Sequence, residues 1–229
     1  MSISTSMATS FKKELLSGGH CFNATVAPTG TTSGTNVVSG ISSMVGIVVG
    51  MTITDTGNAS IPANTIVVSI VSSSSVTISQ SATGSFSGTA LAISGDILKM
   101  ALIKAAESGT YGTTSVNYSD IVGNSDETSG AGYTSGGIIL TNVSPVSSGV
   151  VAYINFSPNP SWTSASFSTT GSMIYNSNNR DGGLSGTNAT GNNRCVGVFD
   201  FSGTQTVSSG TFTVLMPIFD SLHAILRLQ

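Results

Sequence analysis

Short runs of β-branched residues, each closed by Gly, Ser, Asn or Pro, recur along this chain of 229 residues and restrict its fold more than any other feature. The clearest example lies at 49–79 (VGMTITDTGNASIPANTIVVSIVSSSSVTIS), which holds a single charged residue, Asp55. The most apolar window of the chain, MVGIVVGM at 44–51, overlaps the start of this stretch. It is far shorter than the ~20 residues that a membrane-spanning helix needs. Disordered segments lack such β-branched runs. The pattern therefore predicts β-strands separated by turns.

The same pattern predicts an all-β fold for the whole chain. Residues 24–94 are expected to form a small β module with the strands TNVVSG, GMTITD, NTIVVSIV, SVTISQ and TALAIS. The segment 96–105 suits a helix or a strand, and we favour a strand because it follows a strand-rich region. Many short strands with Gly-rich turns and almost no helix indicate a β-sandwich or jelly-roll-like main domain. The later predicted strands are 137–142, 150–156, 167–169, 171–175, 195–201, 211–216 and 223–228.

One short helix is predicted near the N-terminus, at 9–18. Thr9 or Ser10 can cap its start and Gly18 can end it. The polar arm before this helix is expected to be a tether that becomes ordered on assembly. The residues that share the apolar face of the helix are Phe11, Leu15 and Leu16.

Charged residues make up only 7% of the chain, against about 25% in typical soluble domains. Ser, Thr and Gly supply the polar surface instead, and such a surface suits a protein that packs beside copies of itself. The net charge is −3 and the seven Lys and Arg residues are scattered. We therefore expect no nucleic-acid partner and no electrostatic attachment to a membrane.

The chain offers few residues for catalysis or metal binding. Its two cysteines, Cys21 and Cys195, form no CxxC motif, and we favour free thiols while leaving a disulfide open. His20 beside Cys21 is predicted to be a turn histidine and a small buried thiol, since neighbours on an extended strand point to opposite faces. A metal site from these residues and His223 lacks zinc-like spacing. We expect no catalytic residues, no metal and no cofactor, and no signal peptide at the N-terminus.

Two further groups of residues admit a functional interpretation. Asp120, Asp126, Glu127 and Asp181 lie in or near the long polar connections 124–137 and 176–193, the second of which is predicted to be an exposed loop. Calcium can bind such acids, but no D-x-D-x-D-G order occurs, so solvated loop acids are the favoured interpretation. One set of aromatic residues can form either a platform on which a saccharide stacks or part of the hydrophobic core, and we favour the core interpretation. Its members are Trp162, Tyr153, Phe156 and Phe167.

A series of motifs occurs in a fixed order along the chain: MATSFKKELLSGGHCF, GDILKMALIKAAESGTYG, SGAGYTSGGIILTN, VAYINF, SWTSASFSTTGSMIYN, CVGVFDF and SGTFTVLMPIFDSLHAILRLQ. Together they resemble a family of tailed-bacteriophage virion structural proteins. The resemblance covers about 1–23 and 95–229, and residues 24–94 resemble a second element found inside phage and bacterial surface proteins. It implies an N-terminal arm and helix (1–23) and a main β-sandwich domain (95–229) interrupted by an inserted β domain (24–94).

The resemblance implies a structural role without enzyme activity. The favoured expectation is a capsid decoration or cement protein, assembled in the host cytoplasm, that binds the major capsid protein or other virion proteins. It is expected to be a homo-oligomer, with a trimer as the candidate state, and its inserted domain is expected to project outward. The alternative is a tail component (fibre, adaptor or baseplate protein) that binds a host surface.

Overall fold

The computed structural model describes residues 2–178 and 193–229. Strands account for about 47% and helices for about 6%, which confirms the prediction of an all-β fold with a short N-terminal helix. In chain order the elements are β1 (Ser2–Ile3), β2 (Ser6–Met7), α1 (Thr9–Leu16), β3 (Thr29–Ser33), β4 (Val37–Ser39), β5 (Thr52–Asp55), β6 (Val67–Ser72), β7 (Ser75–Ile78), β8 (Ser85–Ser94), β9 (Leu98–Lys104), β10 (Thr110–Tyr111), α2 (Ser119–Gly123), β11 (Ile138–Leu140), β12 (Val146–Ser148), β13 (Val151–Ile154), β14 (Ser161–Asn176), β15 (Arg194–Thr213) and β16 (Leu226–Leu228).

The chain divides into two compact units. Unit 1 comprises Met1–His20, Ile97–Thr141 and Pro145–Gln229, and unit 2 comprises Cys21–Asp96 and Asn142–Ser144. The boundaries expected from the sequence, 24 and 94, lie a few residues inside the long segment of unit 2. The short segment 142–144 was not expected to belong with it.

The main sheet of unit 1 has the strand order β11-β9-β14-β15-β2 and is antiparallel throughout. The ambiguous segment 96–105 forms β9, a central strand, as predicted. The long hairpin of β14 and β15 replaces four shorter predicted strands. The register of this hairpin shifts between the pairs Thr169↔Gln205 and Gly171↔Asp200, so residues 201–204 form a bulge in β15. The sequence pattern predicted that the strand ends there.

The N-terminal arm is ordered within unit 1, which corrects the expectation that it orders only on assembly. β1 pairs in parallel with β10, and β2 pairs with Gly197 and Val198 of β15. These pairings tie residues 2–7 to the strands of unit 1 instead of leaving them as a free tether.

Helix α1 forms where predicted, but its start and its buried face differ. Ala8 is the N-cap and makes no side-chain hydrogen bond, so neither Thr9 nor Ser10 caps the helix. Leu16 is 92% exposed, whereas Glu14 is buried. The helix ends as predicted, because Gly18 adopts a positive φ of 71° and the Gly19 N–H bonds to the Glu14 carbonyl oxygen at 2.8 Å.

Unit 2 is a six-stranded antiparallel sheet in the order β5-β8-β3-β4-β7-β6. The sequence predicted all of these strands except β3 (TGTTS), which lacks aliphatic residues. Three backbone hydrogen bonds join residues 50–53 to residues 65–67, at 2.8, 2.8 and 2.9 Å. The two outer strands therefore meet at one end, and the sheet curls around an aliphatic core. The core residues are Cys21, Val38, Ile41, Ile47, Met51, Ile53, Ile61, Val67, Val76, Ile78, Leu91 and Ile93.

Neither helix in the described ranges has the length and hydropathy required to cross a membrane.

Candidate functional site

Asp126 is a buried carboxylate, which corrects its interpretation as a solvated loop acid. It is 0% exposed, because donors from the preceding segment surround it. Tyr111 donates its hydroxyl to Asp126 at 2.6 Å. The backbone N–H groups of Ser108 and Gly109 donate at 2.9 and 2.7 Å. The ammonium group of Lys104 lies 3.1 Å from the same carboxylate.

These contacts fix the protonation state of Asp126. Burial alone raises a carboxyl pKa, but the hydrogen bonds from Tyr111, Ser108, Gly109 and Lys104 outweigh it and hold the pKa of Asp126 well below its usual range. Burial and the neighbouring carboxylate raise the pKa of Tyr111 above its ordinary value. Neither group exchanges a proton near neutral pH, so the cluster suits a structural role rather than acid–base catalysis.

Glu127 organises the loop that follows. It accepts hydrogen bonds from the hydroxyls of Tyr118 at 2.6 Å, Tyr133 at 2.9 Å and Ser135 at 2.7 Å. The Gly136 N–H adds a fourth at 2.6 Å. A carboxylate with four donors has little capacity left for a cation.

The other loop acids are not part of a metal centre in the described residues. Asp120 accepts from the Val116 and Asn117 N–H groups at 2.7 and 3.2 Å. Asp181 and most of the predicted exposed loop 176–193 lie outside the described residues. Across residues 2–178 and 193–229, no group of three or more His, Cys, Asp or Glu side chains is arranged to hold a metal.

The histidines and cysteines that the sequence singled out have separate partners. His223 is exposed and lies 2.9 Å from Asp220. Neither cysteine forms a disulfide within the described residues, and burial raises the pKa of the Cys195 thiol. Cys21 belongs to the core of unit 2. Burial also denies both sulfur atoms the access to solvent that a reactive cysteine needs.

His20 takes part in a buried polar cluster that the sequence did not predict. Its Nε2 lies 2.8 Å from Glu14 Oε2, and its Nδ1 lies 2.9 Å from Asn176 Nδ2. Arg194 donates to the Gly19 carbonyl oxygen at 2.7 Å. Both ring nitrogens are engaged and the side chain is inaccessible to solvent, so His20 links α1 to Asn176 at the end of β14 instead of facing a substrate.

The aromatic group forms part of the core of unit 1. Trp162, Phe156 and Phe167 are buried, as the core interpretation predicted, and Tyr153 is half-buried with its ring 5.2 Å from that of Phe219. Phe212 of β15 connects this core to the surface, with ring distances of 5.9 Å to Trp162 and 5.4 Å to Phe167.

A cavity of about 580 Å³ opens beside this aromatic cluster in unit 1. Phe199, Phe201 and Phe212 supply aromatic walls, and Gln205 and His223 supply polar groups. Ser172 also lines the cavity, and its buried Oγ has no hydrogen-bond partner in the described residues. The composition of aromatic walls with a few polar groups is typical of a binding pocket.

The segment that borders this cavity exposes large apolar side chains. Residues 214–225 form no helix or strand. The predicted strands at 211–216 and 223–228 are therefore too long: β15 ends at Thr213, and β16 begins at Leu226. We call residues 215–222 the C-terminal apolar segment. Its exposed members are Leu215, Ile218, Phe219 and Leu222, with exposed fractions of 76%, 68%, 40% and 70%.

Comparison of the chain with protein-family models, curated proteins and solved structures finds no match.

Proposed function

We propose that this chain is a bacteriophage virion structural protein, a capsid decoration or cement protein that binds the outer capsid surface as a homo-oligomer. The observation that carries the proposal is the C-terminal apolar segment, which exposes four large apolar side chains within eight residues. Large apolar side chains exposed close together in the chain mark a candidate site of protein association. The ordered motifs in residues 1–23 and 95–229 resemble phage virion structural proteins, and this resemblance is the reason for proposing a virion as the site of association.

The size of this surface favours repeated weak contacts. Burying four large apolar side chains contributes at most roughly 6–12 kcal/mol per copy, and some of that burial already exists. Association costs about 4–15 kcal/mol. One such contact is therefore weak by itself, and stable attachment requires many copies that bind the same shell together.

The state of the titratable groups supports a role without catalysis. Asp126 and Glu127 accept their hydrogen bonds from donors in the chain, and both ring nitrogens of His20 face neighbouring side chains. General acid–base catalysis needs a group with a free site directed at a substrate.

The test is reconstitution on capsids that lack this chain. We expect wild-type protein to bind in hundreds of copies, because each equivalent capsid position offers the same surface. A Leu215→Asp and Leu222→Asp double variant is expected to bind at least roughly tenfold more weakly, since it places charge in an apolar contact. Leu16→Asp is the matched control, because Leu16 is 92% exposed in the same unit but lies outside the segment.

Cryo-electron microscopy of the particle identifies the position of the chain. Density for this chain on the capsid surface is the expected result. Its absence there, or equal binding by the double variant and the Leu16→Asp control, would contradict the proposal.

The cavity favours a second candidate function, a tail component that binds a host-surface saccharide. Three phenylalanine rings and the Ser172 hydroxyl provide stacking and hydrogen-bonding groups, which saccharide binding combines. A glycan array tests this candidate. Binding that Phe201→Ala weakens, together with only tens of copies per particle or fewer, would favour the tail role over decoration.

A further inference from the structure

Unit 2 presents no charged side chain to solvent. Its segments contain no Lys, Arg, His or Glu. Its two acids, Asp55 and Asp96, are 8% and 3% exposed. The surface of the unit is therefore built entirely from uncharged groups. Soluble domains normally carry exposed charges of both signs, which oppose association between copies.

One outer strand of unit 2 has an open edge. β6 is the last strand in the sheet order and pairs with β7 on one side. On its other side, the hydrogen bonds to residues 50 and 51 end at Val67. From Val68 to Ser72, the described residues place no strand on this side. An open edge offers unpaired N–H and C=O groups to any further strand.

Exposed aliphatic side chains lie on β6 and in the segment that joins its start. Val68, Ile70 and Val71 of β6 are exposed by about half, and Val45, Val48 and Val49 are exposed in the segment that precedes residue 50. The bonds from Gly50 N to Val67 O and from Val67 N to Met51 O, both 2.8 Å, join the end of that segment to the start of β6. We call these six residues together with the open edge the β6 surface.

The β6 strand lacks the charged residues and the proline that commonly prevent edge strands from pairing. Protected edges carry Lys, an inward-pointing charge or Pro. The sequence VVSIVS of β6 contains none of them. Two register shifts against β7 are the one protective feature that β6 has, and its aliphatic side chains remain exposed.

We propose that the β6 surface binds the β6 surface of a second copy of this chain, with the two β6 strands pairing antiparallel across a two-fold axis. The absence of exposed charge on unit 2 favours a second copy of the chain as the partner. A partner with charged groups would lose their hydration and find no counter-charge on unit 2. A second copy brings the same aliphatic groups and the same unpaired backbone, as a two-fold contact requires.

This inference extends the homo-oligomeric part of the proposed function by naming an interface, and it is tested in solution without any capsid. Sedimentation velocity of the full chain over a wide concentration range measures self-association. We expect the wild-type chain to associate and Val71→Lys to weaken the association by roughly tenfold or more, because the two-fold axis places two ammonium groups close together.

Two variants serve as controls. Val150→Lys makes the same substitution at an 82% exposed valine of unit 1, and it is expected to leave the association unchanged. Val71→Thr keeps the β-branched shape without adding charge, and it is expected to have a much smaller effect than lysine. Circular dichroism of each variant verifies that the fold is intact.

Amide hydrogen exchange locates the contact. With increasing wild-type concentration, exchange at residues 68–72 should slow, and in Val71→Lys it should not. A wild-type chain that stays monomeric, or a Val71→Lys chain that associates as strongly as Val150→Lys, overturns the inference. Capsid binding can succeed or fail independently of either result, so the two proposals are separable.

Discussion

At the scale of single residues, each unit contains a buried aspartate that organises the loop around it. In unit 1 it is Asp126. In unit 2 it is Asp55, which accepts from the N–H groups of Gly57 and Asn58 at 2.9 and 2.8 Å. The hydroxyls of Ser60 and Thr89 donate to it at 2.6 and 2.8 Å. A chain with little charge thus uses two of its acids as internal acceptors.

Both carboxylates are more acidic than usual. Burial alone raises the pKa of Asp55, but hydrogen bonds from Ser60, Asn58, Gly57 and Thr89 outweigh this and lower it well below the ordinary value. A folded-state pKa below the unfolded value of about 3.9 contributes stability that is complete above that value. The contribution is lost as the pH falls below it, because the unfolded chain binds protons first.

The first prediction is an acid-sensitive unfolding free energy. Between about pH 5 and pH 7, Asp55 and Asp126 should leave the free energy of unfolding nearly constant. Below about pH 4, their protonation should make the free energy of unfolding fall steeply. Asp126→Asn should lower the stability of unit 1 by about 2–4 kcal/mol at pH 7, because an amide cannot accept all of these bonds. It should also flatten the acid dependence. Urea unfolding at several pH values measures both effects.

Asp200→Asn is the control for this prediction. Asp200 is an exposed carboxylate of the same unit that bonds to the Ser202 N–H, so the change should alter stability by less than about 0.5 kcal/mol. An acid dependence that is equally steep in Asp126→Asn and in the wild-type chain would show that Asp126 does not carry the effect.

The sequence could not identify Asp126 as a buried group. Its local context, NSDETSG, is typical of an exposed loop. Its main donors, Ser108 and Tyr111, are 18 and 15 residues away. Only the tertiary fold brings them together. The same reason applies to Glu14, whose partner His20 follows the helix instead of lying on it.

At the scale of elements, Gly137 determines how β11 approaches β9. Its φ is +72°, and a Cβ at this position would overlap the carbonyl oxygen of Met100 in the neighbouring strand. Ile138 pairs directly with Met100, so the strand cannot move away without losing its ladder hydrogen bonds.

The second prediction separates close approach from backbone strain. Gly137→Ala should destabilise unit 1 by roughly 3 kcal/mol or more, because it combines both costs. Gly149→Ala is the matched control, since Gly149 has a φ of +59° but open space around it, and it should cost only about 1 kcal/mol. Chemical denaturation measures the two changes. Equal losses would mean that contact with the Met100 carbonyl is unimportant.

Sequence patterns located most strands of both units but not their lengths. The predicted breaks near residue 170 and after residue 201 lie inside the β14–β15 hairpin. Ser202 and Gly203 have φ values of 59° and 129°, and such residues usually end a strand. Here the partner strand continues on the other side of the bulge. Local signals cannot distinguish a bulge from a strand end, because the difference is the presence of the partner.

The β3 strand and the cavity show a similar limit. Thr29–Ser33 has no aliphatic residue, yet it is central in its sheet because β4 and β8 pair with its two edges. The cavity gathers residues from β9, β14, β15 and the C-terminal apolar segment. No local pattern in the sequence connects these four regions.

At the scale of the whole molecule, unit 2 leaves and rejoins the main chain at adjacent points. The Asp96 N–H bonds to the Cys21 carbonyl oxygen at 2.6 Å, and the Cys21 N–H bonds to the Asp96 carboxylate at 2.9 Å. The Gly95 N–H bonds to the Asn23 carbonyl oxygen at 3.2 Å. Adjacent ends are the condition under which a domain can be inserted in, or removed from, a surface connection.

The third prediction is that the units unfold separately. Asp55→Ala should lower the transition of unit 2 alone, and Asp126→Asn should lower that of unit 1 alone, because each aspartate bonds only within its own unit in the contacts described above. Replacing residues 21–96 by a short Gly-Ser linker should remove one calorimetric transition and keep the other.

The fragment 21–96 should fold by itself. It loses the Ala24–Ser144 and Asp96–Asn142 hydrogen bonds, of 3.0 and 2.9 Å, and should be less stable by about 1–3 kcal/mol. A single transition that both aspartate variants lower equally would mean that the chain unfolds as one cooperative body, in which case unit 2 is integral to the main domain and not an insertion into it.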